Sequence, residues 1–202
     1  MEHSAHCLGE GEPRTGRHLA ADRGPPVAAR LGKRPAGVRP RPQGHGLPTL
    51  DRADYGSCEG VAKGGYVLAE AHTGRAQVIV LATGSEVPIA LAARELLHTR
   101  GIETRVVSLP CWEWFAAQED SYRQQVLPPE IRARVAVEAA SPMGWREWVG
   151  EADEIVGLDH YGASGPYEVL YEQFGITAER VAAAAQSSLS KLGVTSGDTT
   201  GS

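Results

Sequence analysis

Glu138 and the adjacent pair Asp159-His160 are the side chains with the clearest capacity for acid/base chemistry in this 202-residue sequence. Each follows a run of apolar, largely β-branched residues. Two strand ends would therefore deliver two carboxylates and an imidazole to one crevice, a workable acid/base set. A third contributor is Thr83-Gly84-Ser85, which separates another apolar run from a helical pattern. A strand-to-helix turn of this kind aims backbone N–H groups and the positive end of a helix dipole at an anion. Thr83, Gly84, Ser85, Glu138, Asp159 and His160 thus make a candidate anion or ligand crevice. Each also has a plain structural alternative: Ser85 as a helix N-cap, the acids as caps of neighbouring helices or ties between loops. The turn lacks the complete glycine fingerprint of dinucleotide sites, and no G-x-S-x-G nucleophile motif stands beside the carboxylates.

The elements that would position these residues are legible from periodicity. Tyr66-Val67-Leu68-Ala69 reads as a short strand. Residues 77–82 form a continuous apolar run, the mark of a strand buried on both faces of a parallel sheet. Ile89, Ala92, Ala93, Leu96 and Leu97 then fall on one helical stripe, closed by Gly101 as a left-handed cap. A strand over 104–109 completes a βαβ unit. Short helices are expected over 111–115 and 120–126, with a helical turn over 144–149. Residues 134–139 and 154–159 make two further strands. Pro166 suits the first turn of a helix over 167–174 that Gly175 ends. The last helix carries a full start signal, with Thr177 as N-cap and Ile176 and Val181 as hydrophobic staple, and extends to about Leu192.

Charge and cysteine usage narrow the function classes. The chain sums to −5, but residues 1–46 carry +4 and the remainder −9, so the part with a core is acidic. That excludes it as a binder of nucleic acid, which needs clustered Lys and Arg. The basic stretch is diluted by Pro and Gly and has no interleaved aromatics. Its His3, His6, His18 and His45 lack ligand spacing. Cys7, Cys58 and Cys111 form no CxxC pair, which fits a reducing cytoplasm rather than a zinc site or a disulfide framework. No apolar run approaches the ~20 residues of a membrane-spanning helix. Trp112, Trp114, Trp145 and Trp148 are expected to divide between core and a subunit interface.

The organisation therefore reads as a disordered segment over 1–46, one domain over 47–193 and a polar disordered tail over 194–202. The ordered string of motifs in that domain resembles the C-terminal domain of transketolase. It begins with Leu47-Pro48-Thr49-Leu50-Asp51-Arg52 and Gly60-Val61-Ala62-Lys63-Gly64-Gly65-Tyr66-Val67-Leu68. It continues through Ala82-Thr83-Gly84-Ser85-Glu86-Val87, Arg105-Val106-Val107-Ser108 and Val126-Leu127-Pro128-Pro129. Arg134-Val135-Ala136-Val137-Glu138 and Phe174-Gly175-Ile176-Thr177 complete it. No single motif is specific, but their order and spacing from Leu47 to Leu192 are.

The resemblance implies an α/β fold, a three-layer sandwich around a mostly parallel, five-stranded mixed sheet. It implies a parent homodimeric enzyme that moves a two-carbon ketol unit between sugar phosphates with thiamine diphosphate and Mg or Ca. In that family the cofactor lies between two other domains, one of which presents Gly-Asp-Gly and a metal-binding Asn. This sequence has no Asn and no Gly-Asp-Gly. The expectation is a structural and assembly role: no catalytic, cofactor-binding or metal residue, no cofactor bound by this chain, and inactivity alone. The alternative is a separate C-terminal subunit or binding module of a split transketolase. Its partners would be a second copy or the missing transketolase domains, with neither nucleic acid nor membrane. The family's Arg-Gln pair just before Leu-Pro is replaced by Gly44-His45, and the composition upstream is that of GC-rich DNA read in a wrong frame. A frameshifted segment over 1–46 is therefore expected.

Overall fold

A computed structural model of the chain describes Leu50 and residues 55–150, 154–158 and 167–194. All of them fall in the second of the two units into which the chain divides, Pro42–Ser202. The expected segment over 1–46, and most of the tail over 194–202, lie outside the described residues.

Five strands form one sheet: β1 (Tyr66–Ala69), β2 (Val78–Ala82), β3 (Thr104–Ser108), β4 (Ala133–Val137) and β5 (Glu154–Val156), in the order β1-β3-β2-β4-β5. Strand β1 runs antiparallel to β3, and the other pairings are parallel, as the mixed, mostly parallel sheet requires. The central strand β2 pairs with β3 through Val78↔Thr104 to Ala82↔Ser108 and with β4 through Val78↔Ala133 to Ala82↔Val137. All five of its residues are buried, and its alternating side chains serve two cores. Val78, Val80 and Ala82 face one layer and Ile79 and Leu81 the other. Full burial of each Val, Ile or Leu contributes about 1.5–3 kcal/mol.

The first layer is α1 (Val87–Thr99) and α6 (Ala178–Lys191), which pack on each other and on the sheet. The second holds α2 (Trp112–Ala116), α3 (Asp120–Val126) and α4 (Arg146–Val149), whose Phe115, Val126, Trp148 and Val149 join the other core. A short helix, α5 (Tyr167–Gln173), precedes α6, and its Tyr171 packs against the first core. Gly101 adopts φ 73 just past the end of α1. The Thr177 side chain accepts from the Arg180 N–H at 3.3 Å, and both staple residues, Ile176 and Val181, are buried.

Two expectations shift. The buried face of α1 is Val87, Ala90, Leu91, Ala93 and Leu97, while Ala92 is exposed and Ile89 and Leu96 are only partly buried. The stripe rotates because α1 packs both on the sheet and on α6 beside it, and the two contacts together bury small Ala90 and Ala93. Strands β4 and β5 also end earlier than expected, at Val137 and Val156. Pro166 lies outside the described residues. Of the tryptophans, Trp145 and Trp148 are buried, Trp112 is half-buried edge-on to Trp145 with ring centres 5.1 Å apart, and Trp114 is 42% exposed.

Candidate functional site

The chain leaves β2 toward α1 on one face of the sheet and leaves the neighbouring β4 toward α4 on the other. The carboxyl ends of β2 and β4 therefore flank a topological switch point, the usual place for a ligand crevice in such sheets. Thr83, Gly84, Ser85 and Glu138 all stand there. Asp159 and His160 lie outside the described residues.

Thr83 is extended, at φ −139 and ψ 159, and precedes a 3-10 turn over Gly84–Glu86 that feeds α1. Pro88 occupies the first turn of α1, where its missing N–H costs nothing. Neither Thr83 nor Glu86 caps with its side chain. Ser85 is not the N-cap. Its hydroxyl instead donates to Glu86 Oε1 at 2.9 Å and lies 3.0 Å from the Tyr171 hydroxyl. Tyr171, on α5, donates to the same Glu86 oxygen at 2.5 Å.

Glu86 is 2% exposed, so these two donors supply what water would otherwise give its carboxylate. Glu138 follows β4 directly, its N–H bonded to the Val156 carbonyl at 3.0 Å. Burial first, and then the negative Glu86 beside it, push the Glu138 carboxyl up to about 7. Burial and the bond to Glu86 likewise push the Tyr171 phenol up to about 12.

Thr83, Gly84, Ser85 and Glu138, expected at one end of the sheet, stand together there. Glu86 and Tyr171 join them without being marked as site residues by the sequence. Glu86 carried a signal, being a charged residue inside an apolar strand-to-helix junction. Tyr171 carried none, since nothing in α5 marks one of its aromatics as reaching the sheet. The chemistry differs from a phosphate cradle. Two adjacent carboxylates oppose an anion, and they favour a proton, a cation or a hydrogen-bond donor. Among the described residues no group of three or more His, Cys, Asp or Glu side chains is arranged to hold a metal ion.

The fold has counterparts among known proteins. Residues 64–177 match the family model described as Transketolase-like TK C-terminal domain. The chain is 48% identical over 169 residues to a transketolase of Mycobacterium tuberculosis, covering 81% of this chain and 23% of that relative. Among solved structures, it resembles transketolase from Leishmania mexicana, with a TM-score of 0.61 and 39% identity over 67% of this chain and 19% of that one. It also resembles Pichia stipitis transketolase in complex with sedoheptulose-7-phosphate, with a TM-score of 0.64 and 36% identity, covering 73% of this chain and 21% of that one. The chain thus spans about a quarter or less of the length of these relatives.

Proposed function

Because the chain belongs to the transketolase family, matching its C-terminal domain, we propose that it supplies packing and assembly to an enzyme transferring a two-carbon ketol unit between sugar phosphates. That reaction uses thiamine diphosphate and a divalent metal and serves pentose phosphate metabolism. The observation that carries the reading is the extent of the match, which runs from β1 to the N-cap of α6 and corresponds to one domain of the relatives.

The chain's own residues do not fit the cofactor. A diphosphate needs cations, and the switch-point crevice presents Glu86 and Glu138. The metal of that cofactor needs an Asn that this sequence does not contain. No step of ketol transfer is therefore assigned to residues of this chain. Its crevice acts instead as a tie, in which Glu86 and Ser85 fasten α5 to the carboxyl end of β2.

The partners in this reading are the cofactor-binding domains of a transketolase and a second copy of the assembly. The exposed Trp114 and Val61 fit a face that packs against another domain. The free thiols of Cys58 and Cys111 suit a reducing cytoplasm. No helix of the described residues is long and apolar enough to cross a membrane.

The test is a ketol-transfer assay on the purified chain with thiamine diphosphate, Mg and sugar phosphates. No turnover is expected from the chain alone. Turnover is expected once a partner carrying the other two transketolase domains is added. Activity of the chain by itself would overturn the assignment. Activity that needs the partner as a separate polypeptide would favour the split-enzyme form of it.

A further inference from the structure

Beside the edge strand β1, a 3-10 helix over Cys58–Lys63 packs against α2. A Cβ on Gly64, the residue after that helix, would lie 2.7 Å from the Cβ of Trp114. Backbone bonds fix the pair. The Gly64 N–H donates to the Val61 carbonyl at 3.1 Å, and the Gly64 carbonyl accepts from the Cys111 N–H at 3.0 Å. The Trp114 carbonyl accepts from Gln118 Nε2 at 2.9 Å. On this rigid frame Val61 is 43% and Trp114 42% exposed, with Ala62 and Ala116 also open. Acids border them: Glu59 on the 3-10 helix, Glu113 on α2 and Glu119 just past it are all exposed. The only cation of the two helices, Lys63, leans over the Tyr122 ring at 4.2 Å. An exposed tryptophan on a frame already ordered suits an interface anchor, because little freedom is lost when a partner covers it.

The place of this face in the chain indicates what covers it. The matching family model describes a C-terminal domain, and the match spans 23% of the Mycobacterium tuberculosis relative. In such a chain the larger part precedes the domain. The first element that follows it among the described residues is the 3-10 helix. We propose that the face built by this helix and α2 docks the preceding domain of a transketolase, which seats Trp114 and Val61 in an apolar depression bordered by arginine or lysine. This rests on the assembly role proposed above, and it fixes which surface and which chemistry perform that role. Glu59, Glu113 and Glu119 set the sign of the border. They draw in a basic surface and repel the same acidic face of a second copy.

The test mixes the full 202-residue chain with the other two domains of the Mycobacterium tuberculosis transketolase, made as one polypeptide. Association is measured by analytical ultracentrifugation, and alkylation of the exposed Cys58, read by peptide mass, reports on the face itself. A complex with slowed labelling of Cys58 is expected. Trp114→Ala should weaken it by about thirtyfold, the loss typical of a central interface tryptophan. Glu113→Lys, on the border, should weaken it by about tenfold. Val169→Lys, at an exposed valine on α5, should leave it unchanged. No complex with the parent chain would overturn the assembly role and this face together. A complex that Trp114→Ala and Glu113→Lys leave at parental strength, in variants with parental Tm, would overturn the face alone. So would an equal loss from Val169→Lys, or self-association of the chain that Trp114→Ala abolishes, since the face would then belong to a second copy.

Discussion

The Tyr171 hydroxyl and the Glu86 carboxylate meet at 2.5 Å across 85 residues of sequence, joining α5 to the loop that leaves the central strand. Glu86 is buried, so its carboxylate depends on this donor and on Ser85 for the solvation that water would otherwise supply. Tyr171→Phe should therefore lower stability by about 1–3 kcal/mol, the cost of leaving a buried polar group short of a partner. Urea denaturation of the two chains checks this. A midpoint unchanged by the substitution would mean that the tie has no energetic weight.

Glu138 gives the fold a pH dependence of defined sign. Its carboxyl titrates near 7 in the folded chain against 4.5 in the ordinary state, so folding favours the protonated form. The resulting stabilisation is fully present below about pH 4.5 and is lost as the pH rises through about 7. Glu138→Gln removes that loss. The variant should be more stable than the parent on the alkaline side of neutrality and lack its decline between about pH 4.5 and 7. Thermal unfolding measured across this range decides it, and parallel pH profiles for the two proteins would count against the assignment.

Gly64 stands at φ 82, and a Cβ there would lie 2.4 Å from both the Cys111 carbonyl oxygen and the Phe115 nitrogen. The left-handed backbone and the close approach of α2 both require glycine. Gly64→Ala should destabilise the domain by more than about 2 kcal/mol, with the entry to α2 displaced. Quenching of the exposed Trp114 by iodide, compared with that of the buried Trp145, reports the displacement. Identical accessibility and stability would show that the backbone absorbs the methyl group.

Thr177 caps α6 through its bond to the Arg180 N–H. Thr177→Ala should cost about 1 kcal/mol, whereas Thr177→Ser should cost little, because serine retains the accepting oxygen. Equal losses for the two variants would move the effect from the cap to the methyl group.

These positions differ in how legible they are from sequence. The start of α6 could be read because its cap and staple are set by residues within five positions of one another. The strands could be read because β-branched runs buried on both faces have a local signature. The buried face of α1 could not, since it depends on α6 packing beside it, and α6 begins almost eighty residues after α1 ends. The same distance hid the partnership of Glu86 and Tyr171. Only the first of that pair sat in a recognisable turn, and hydrogen bonds between remote side chains leave no periodicity.

The place of β2 in the sheet also bears on how the domain is made. Its two neighbours are translated after it, β3 first and β4 later still, past α2 and α3. During synthesis a chain that has emerged only as far as β3 offers one open edge of Val-Ile-Val-Leu-Ala, uncharged and without a proline to blunt it. Such an edge is the kind that recruits strands from other chains. Until β4 arrives, the nascent domain must be shielded by a chaperone or by speed, and a ribosome stalled in the stretch before β4 would release a product prone to aggregate.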